Sequence, residues 1–201
     1  MSLTFRPFSD FAVVVGIKGG GKSVFTRWYA KQLDRFLMLD PTRQNSTLGY
    51  VVYHPQQIAP AFQSFKKVIY QPQHASDEYA APFFATALHF CNYTLIIDEV
   101  DEYLGSKHII CSDAKTVIVR GRNQGIGGIF NTRRPHDINK CIRSNADHVV
   151  TFQMNEEDDL KYMAKWIDKN PSEIKALKEY HSFYYNRYTK KTIELNPCPL
   201  V

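Results

Sequence analysis

The chain has 201 residues, 44% of them hydrophobic and 22% charged, which bounds it to one globular domain with a sizeable core and excludes a disordered or fibrous chain. Its formal charge of +5 is compatible with a polyanionic partner without demanding one. The 4 cysteines form no C-x-x-C pair and the 7 histidines no H-x-x-x-H pair, so neither a zinc ribbon, a redox motif nor a protein-bound structural metal is expected.

No leader pattern opens the sequence and no run approaches eighteen apolar residues, so a cytoplasmic protein without a membrane span is expected. In chain order, "FAVVVG" reads as a first buried strand, Lys22 to Leu33 as its helix, and "RFLMLD" as a second strand ending at Asp40-Pro41. "TRQNSTLG" is turn-rich, and residues 51–66 are ambiguous because Pro55 and Pro60 break any long element. "KVIYQP" reads as a strand, Asp77 to Phe90 as a helix, and "TLIIDE" as an apolar strand ending in acids.

Ser112 to Asn123 is expected to form a helix, with Ser112 as cap and Asp113 in the first turn. "GGIFNT" and "DHVVTFQM" follow as strands, then "NEEDDLKYMAKWI" as a helix that Asn155 caps and four acids support. Beyond Pro171 come a short helix in "SEIKALKEY" and a hairpin from "SFYYNRY" and "KTIELN". Strands alternating with helices indicate an α/β domain with a mainly parallel sheet. We read residues 1–201 as a single domain, a core over about 8–168 and a C-terminal extension over about 169–201.

Two motifs carry chemistry. Gly16, Gly21, Lys22 and Ser23 satisfy G-x-x-x-x-G-K-[ST] between a strand and a helix. With Gly19, Gly20 and Val24 they form a loop whose backbone N–H groups can cradle phosphates, Lys22 reaching the β- and γ-phosphates and Ser23 ligating Mg²⁺. Asp98, at the end of an apolar strand, is the expected carboxylate for Mg²⁺, and Glu99 beside it can polarise a water for attack on the γ-phosphate. Hydrolysis is therefore favoured over transfer to a metabolite, and ATP over GTP. The D-x-x-G expected of a GTP switch has Asp101 in its glycine position, and no N-K-x-D occurs.

The segment "VIVRGRNQGIGGIFNTRRPHDINKCIRSNADHVVTFQM" resembles the FtsK/HerA superfamily of DNA-pumping ATPases. Arg122, Gly125-Ile126, "NTRRP", Asp137-Ile138, Ile142 to Asn145 and "VVTFQM" follow that family's order and spacing, and "LMLDPTR" is similar to its D-P segment. The resemblance runs from the phosphate loop to about residue 154 and, within the family, is most like genome-packaging ATPases of tailless icosahedral viruses. It implies a RecA-like P-loop core and a homo-oligomeric ring, expected to be a hexamer. It further implies ATP-driven translocation of double-stranded DNA in the host cytoplasm, in association with capsid or portal-vertex proteins; a cellular or plasmid DNA-translocating ATPase of the same superfamily, or a nucleotide-dependent assembly factor that does not pump, is the alternative.

Carried over by residue, Arg122 corresponds to an arginine finger that reaches a neighbour's γ-phosphate, with Arg120 as the fallback. Both are also readable as cations at a helix end. Where the family has a sensor glutamine this chain has Arg133, which only donates hydrogen bonds, so Asn131 and Arg133 are jointly the expected sensor. Lys107, His108, Lys140 and Arg143 are candidate contacts for the DNA backbone.

Overall fold

Five consecutive residues of "FAVVV" are buried on both faces, which is the pattern of a central strand in a parallel sheet covered by helices on each side. The computed structural model describes residues 5–74, 76–105 and 111–199 and shows such a sheet. Its strands in chain order are β1 (Phe11–Val15), β2 (Phe36–Leu39), β3 (Tyr50–Val52), β4 (Lys67–Tyr70) and β5 (Tyr93–Ile97), then β6 (Ile126–Thr132), β7 (His148–Thr151), β8 (Ser182–Asn186) and β9 (Lys191–Leu195). Side by side they run β3-β4-β2-β5-β6-β1-β7-β8-β9. Every pairing from β3 to β7 is parallel, and the two involving β8 and β9 are antiparallel.

The helices are α1 (Lys22–Gln32), α2 (Ile58–Ser64), α3 (Asp77–Ala87), α4 (Ser112–Arg120), α5 (Lys140–Asn145), α6 (Glu157–Ile167) and α7 (Pro171–Lys175). Two apolar layers sandwich the sheet. On one side Phe62, Phe83, Phe84, Val117, Ile142 and Met163 meet the outward residues of the strands; on the other, Phe25, Tyr29 and Ala30 of α1 do the same.

The ambiguous stretch 51–66 resolves into β3, a 3-10 turn over Pro55–Gln57 and α2. Pro60 falls in the first turn of α2, where a missing N–H breaks no helical bond. Two expected caps move by one residue. Cys111, not Ser112, takes the N-cap of α4, and Glu156, not Asn155, that of α6; neither makes a side-chain cap bond. The acids still complement the dipole, with Asp113 in the first turn of α4 and Glu157, Asp158 and Asp159 in that of α6. α4 ends at Arg120 and tightens into a 3-10 turn over Gly121–Gln124, so Arg122 stands on that turn rather than on the helix. α3 likewise stops at Ala87, short of Phe90.

The expected hairpin is present, and it extends the main sheet. Thr151 of β7 pairs with Phe183 of β8, which gives β7 a second neighbour in place of an open edge. Among the described residues no helix is long and apolar enough to cross a membrane, and the four cysteines are unbridged.

Candidate nucleotide site

Parallel strands deliver their C-terminal ends to one rim, and the motif residues collect there. β6 lies between β1 and β5, so its end is held between the phosphate loop after β1 and the acids after β5. In register, Val15 faces Thr132 and Ile97 faces Phe130. A cavity of about 460 Å³ opens at this rim. Lys18, Gly19, Gly21, Lys22, Ser23 and Val24 line it from the loop, and Asp98, Glu99, Glu102 and Arg133 from β5 and β6.

The loop takes its shape from glycine. Gly19 and Gly21 have φ of 80° and 118°, in the left-handed region that disfavours a Cβ, and a Cβ on Gly21 would come within 2.7 Å of Phe152. Gly20 donates its N–H to the Ile17 carbonyl and closes the turn. The Lys22 ammonium donates to the carbonyl oxygens of Gly16 at 2.8 Å and Ile17 at 3.1 Å. Lys22 is only 6% exposed, and no carboxylate pairs with it among the described residues. Burial pushes its pKa down, against the pull of Glu99 and Asp98. A buried cation with a donor to spare, aimed into a cavity, fits an anion.

Asp98 is fixed from two sides. Its Oδ1 accepts from Asn131 Nδ2 at 2.9 Å, and Asn131 Oδ1 in turn accepts from Thr26 Oγ1 of α1 at 2.8 Å. Its Oδ2 lies 3.0 Å from Thr42 Oγ1, which is equally close to Asp40 Oδ1. A hydroxyl has one proton, so Thr42 serves one carboxylate at a time. Asp40 already accepts from the Asn45 backbone and side chain and from Gln71, which leaves Asp98 as the needier partner.

Asn131 is thus spent behind Asp98 and does not line the cavity; it reaches a phosphate only through the carboxylate it holds. Arg133 does line it. Among the described residues no cluster of three His, Cys, Asp or Glu could hold a metal unaided. One carboxylate and one hydroxyl beside a phosphate cradle is the donor set that suits Mg²⁺, which binds through one or two carboxylates and the substrate's own phosphates. Ser23 and Asp98 are the residues that would hold it.

Glu99 sits at φ 49° and ψ 56°, a left-handed conformation that costs a non-glycine residue about 1–2 kcal/mol. Nothing in the sequence marks this strain, which stands where the candidate base stands. Its Oε2 accepts from Arg133 Nε at 3.0 Å, and Arg133 Nη2 is 4.0 Å from Glu102 Oε1. Burial raises the pKa of Glu99, Asp98 and Asp101 add to the rise, and Arg133 and Lys22 oppose it.

The sign gives a test on Arg133. Arg133→Gln removes the largest cationic influence on Glu99, so its carboxyl should titrate at higher pH. The acidic limb of the kcat/KM profile for ATP hydrolysis is then expected to move up in pH. A limb that stays in place, or moves down, would separate Glu99 from the rate.

Arg122 lies elsewhere. It precedes β6, whereas Asn131 and Arg133 are at its far end, and a seven-residue strand is about 23 Å long. Its Nη2 pairs with Asp147 Oδ2 at 2.9 Å, the arginine 39% and the aspartate 4% exposed. Asp147 also accepts from the Phe11 N–H and the Tyr188 hydroxyl. Of the DNA candidates, Lys107 and His108 lie outside the described residues. Lys140 is exposed on α5, and the Arg143 guanidinium sits 5.2 Å over the Tyr162 ring. Sequence reasoning passed over Thr26, Thr42, Arg27, Gln44, Glu102 and Tyr180, of which all but Thr26 line the cavity.

Solved structures share this architecture over nearly the whole chain. The genome packaging NTPase B204 from Sulfolobus turreted icosahedral virus 2, in complex with ATP-gammaS, superposes with a TM-score of 0.82 at 21% identity, covering 94% of this chain and 98% of that one. The DNA-packaging ATPase B204 from Sulfolobus Turreted Icosahedral Virus gives 0.79 at 22% identity, covering 97% and 100%. The fold is that of a P-loop NTPase. VirB4 of Thermoanaerobacter pseudethanolicus is more distant, with a TM-score of 0.65 at 10% identity over 94% of this chain and 89% of that one. No protein-family model and no curated protein matches the sequence. The α/β class and P-loop core expected from the resemblance are therefore borne out, and at these identities the likeness is one of fold.

Proposed function

We propose that the protein is an ATP-hydrolysing motor that moves double-stranded DNA, working as a homohexameric ring that packages a viral genome into a capsid from the host cytoplasm. The observation that carries the reading is the meeting of a buried Lys22, which no carboxylate pairs with among the described residues, with Asp98, Glu99 and Arg133 in one cavity of the P-loop fold. The likeness to packaging NTPases supports the choice of DNA as the substrate to be moved and of capsid or portal-vertex proteins as partners.

In this reading the phosphate loop and Lys22 bind and orient the triphosphate, and α1 directs its N-terminal N–H groups at it. Mg²⁺ held by Ser23 and Asp98 supplies neutralising charge at the phosphates when bound. Asn131 and Thr42 keep the Asp98 oxygens in place. Glu99 accepts a proton from a water in line with the γ-phosphate, an effect on the order of 10²–10⁴ in rate. Arg133, close enough to pair with Glu99, both sets the readiness of that base and offers N–H donors to developing charge. Arg122 stands at the opposite end of β6, away from its own chain's cavity, and the family resemblance is what assigns it to the cavity of a neighbouring subunit.

Steady-state hydrolysis with and without duplex DNA tests the proposal. Stimulation by DNA irrespective of sequence is expected, since a motor must move any sequence. Turnover indifferent to DNA would point to an assembly factor, and a phosphorylated small molecule to a kinase.

A further inference from the structure

The geometry points to Tyr180 as the platform for the nucleoside of the bound nucleotide, its ring stacking on a purine base. This rests on the reading of the cavity as a nucleotide site and adds a residue from the C-terminal extension, which the family resemblance does not cover.

The sheet order gives the cavity a direction. Strands run β5-β6-β1-β7-β8 with β8 antiparallel, so the acids after β5 and Arg133 after β6 lie to one side of the phosphate loop, and the end of β7 and the start of β8 to the other. A triphosphate with its reacting end at Glu99 therefore sends its nucleoside toward β7 and β8. Tyr180 is the residue found there. It lines the same cavity, just before β8, and a Cβ on Gly21 would lie 3.3 Å from its Cδ1 atom. With Gly21, Val24, Phe152 and Cys198 it also lines a second, small cavity beside the loop.

Two further observations separate Tyr180 from an ordinary packing residue. The residue is 37% exposed although it abuts the loop, and it lines the cavity. Its φ is 63°, a left-handed conformation for which tyrosine is poorly suited and glycine well suited. The turn that imposes it is closed by the His181 N–H on the Lys178 carbonyl, and β8 is pinned to β7 directly after it. Strain kept at an aromatic residue on the rim of a ligand cavity is a mark of positioning. An aromatic face stacks on a base through its π-surface and without reading its hydrogen-bond pattern.

The test is calorimetric titration of the full chain with Mg-ATP and, separately, with inorganic tripolyphosphate and Mg²⁺, for the unaltered protein, Tyr180→Phe and Tyr180→Gly. Tyr180→Gly relieves the backbone strain, so it is expected to keep or raise Tm. It should bind ATP about tenfold more weakly while binding tripolyphosphate as before. Tyr180→Phe should bind both like the unaltered protein. Equal ATP affinity in Tyr180→Gly, or equal losses for ATP and tripolyphosphate, would overturn the assignment while leaving the phosphate site standing. Failure of the unaltered protein to bind Mg-ATP would overturn the nucleotide-site reading itself, and this inference with it.

Discussion

Arg122→Ala is expected to lower DNA-stimulated ATP hydrolysis by about 10³-fold or more while leaving ATP binding by a single chain nearly unchanged. The asymmetry follows from position. With the length of β6 between Arg122 and the rim where Arg133 meets Glu99, the guanidinium cannot reach its own chain's cavity. A direct contact with a γ-phosphate would then have to be made across a subunit boundary. Mixing tests this directly: Arg122→Ala chains with intact cavities and Lys22→Ala chains with intact Arg122 should recover activity together that neither has alone. A purely structural role predicts something else, because Arg122 also balances the buried Asp147. Asp147 would still accept from Phe11 and Tyr188, so its loss of one partner should cost only about 1–3 kcal/mol. A large fall in Tm without rescue on mixing would assign Arg122 to the fold and not to catalysis.

What the sequence could show of this arrangement was what is encoded locally. A β-branched run, a glycine-rich loop and a helix in succession locate β1, the phosphate loop and α1 with little ambiguity, because each rests on adjacent residues. Asp98 and Glu99 were equally legible at the end of an apolar run. The roles of Asn131 and Arg133 were not. Which of them faces a phosphate depends on the register of β6 against β5, and that register puts Asn131 behind Asp98 and leaves Arg133 in the cavity.

Thr26 carries no motif and Thr42 only a place in the quoted "LMLDPTR", which gives it no role; they matter because β2 ends and α1 begins beside Asp98 and Asn131. The hairpin of β8 and β9 could be read from its aromatic and β-branched runs, but its docking on β7 is a long-range event with no local signal. Tyr180 was invisible for the same reason. The missed caps have a smaller cause: Ser112 and Asn155 each lie one residue from the N-cap, within the usual uncertainty of a helix boundary.

Glu99→Gln is expected to reduce kcat by about 10²–10⁴-fold with little change in KM for ATP. The amide keeps the length and shape of the side chain and can still accept from Arg133, so what is lost is the capacity to take a proton from water. A separate expectation concerns stability. Burial is the main influence on the Glu99 carboxyl and works against its charged form, and the left-handed backbone beneath it adds strain. A neutral amide escapes the first of these costs and forfeits only a half-exposed ion pair with Arg133, so Tm should hold or rise as activity collapses. Glu99→Asp should behave differently: it retains a carboxylate but draws it back by one methylene, away from the in-line water, and should lose kcat without gaining Tm. Both readouts are needed, since a destabilised Glu99→Gln variant would place the carboxylate among the fold's supports. Undiminished kcat in that variant would remove Glu99 from the reaction.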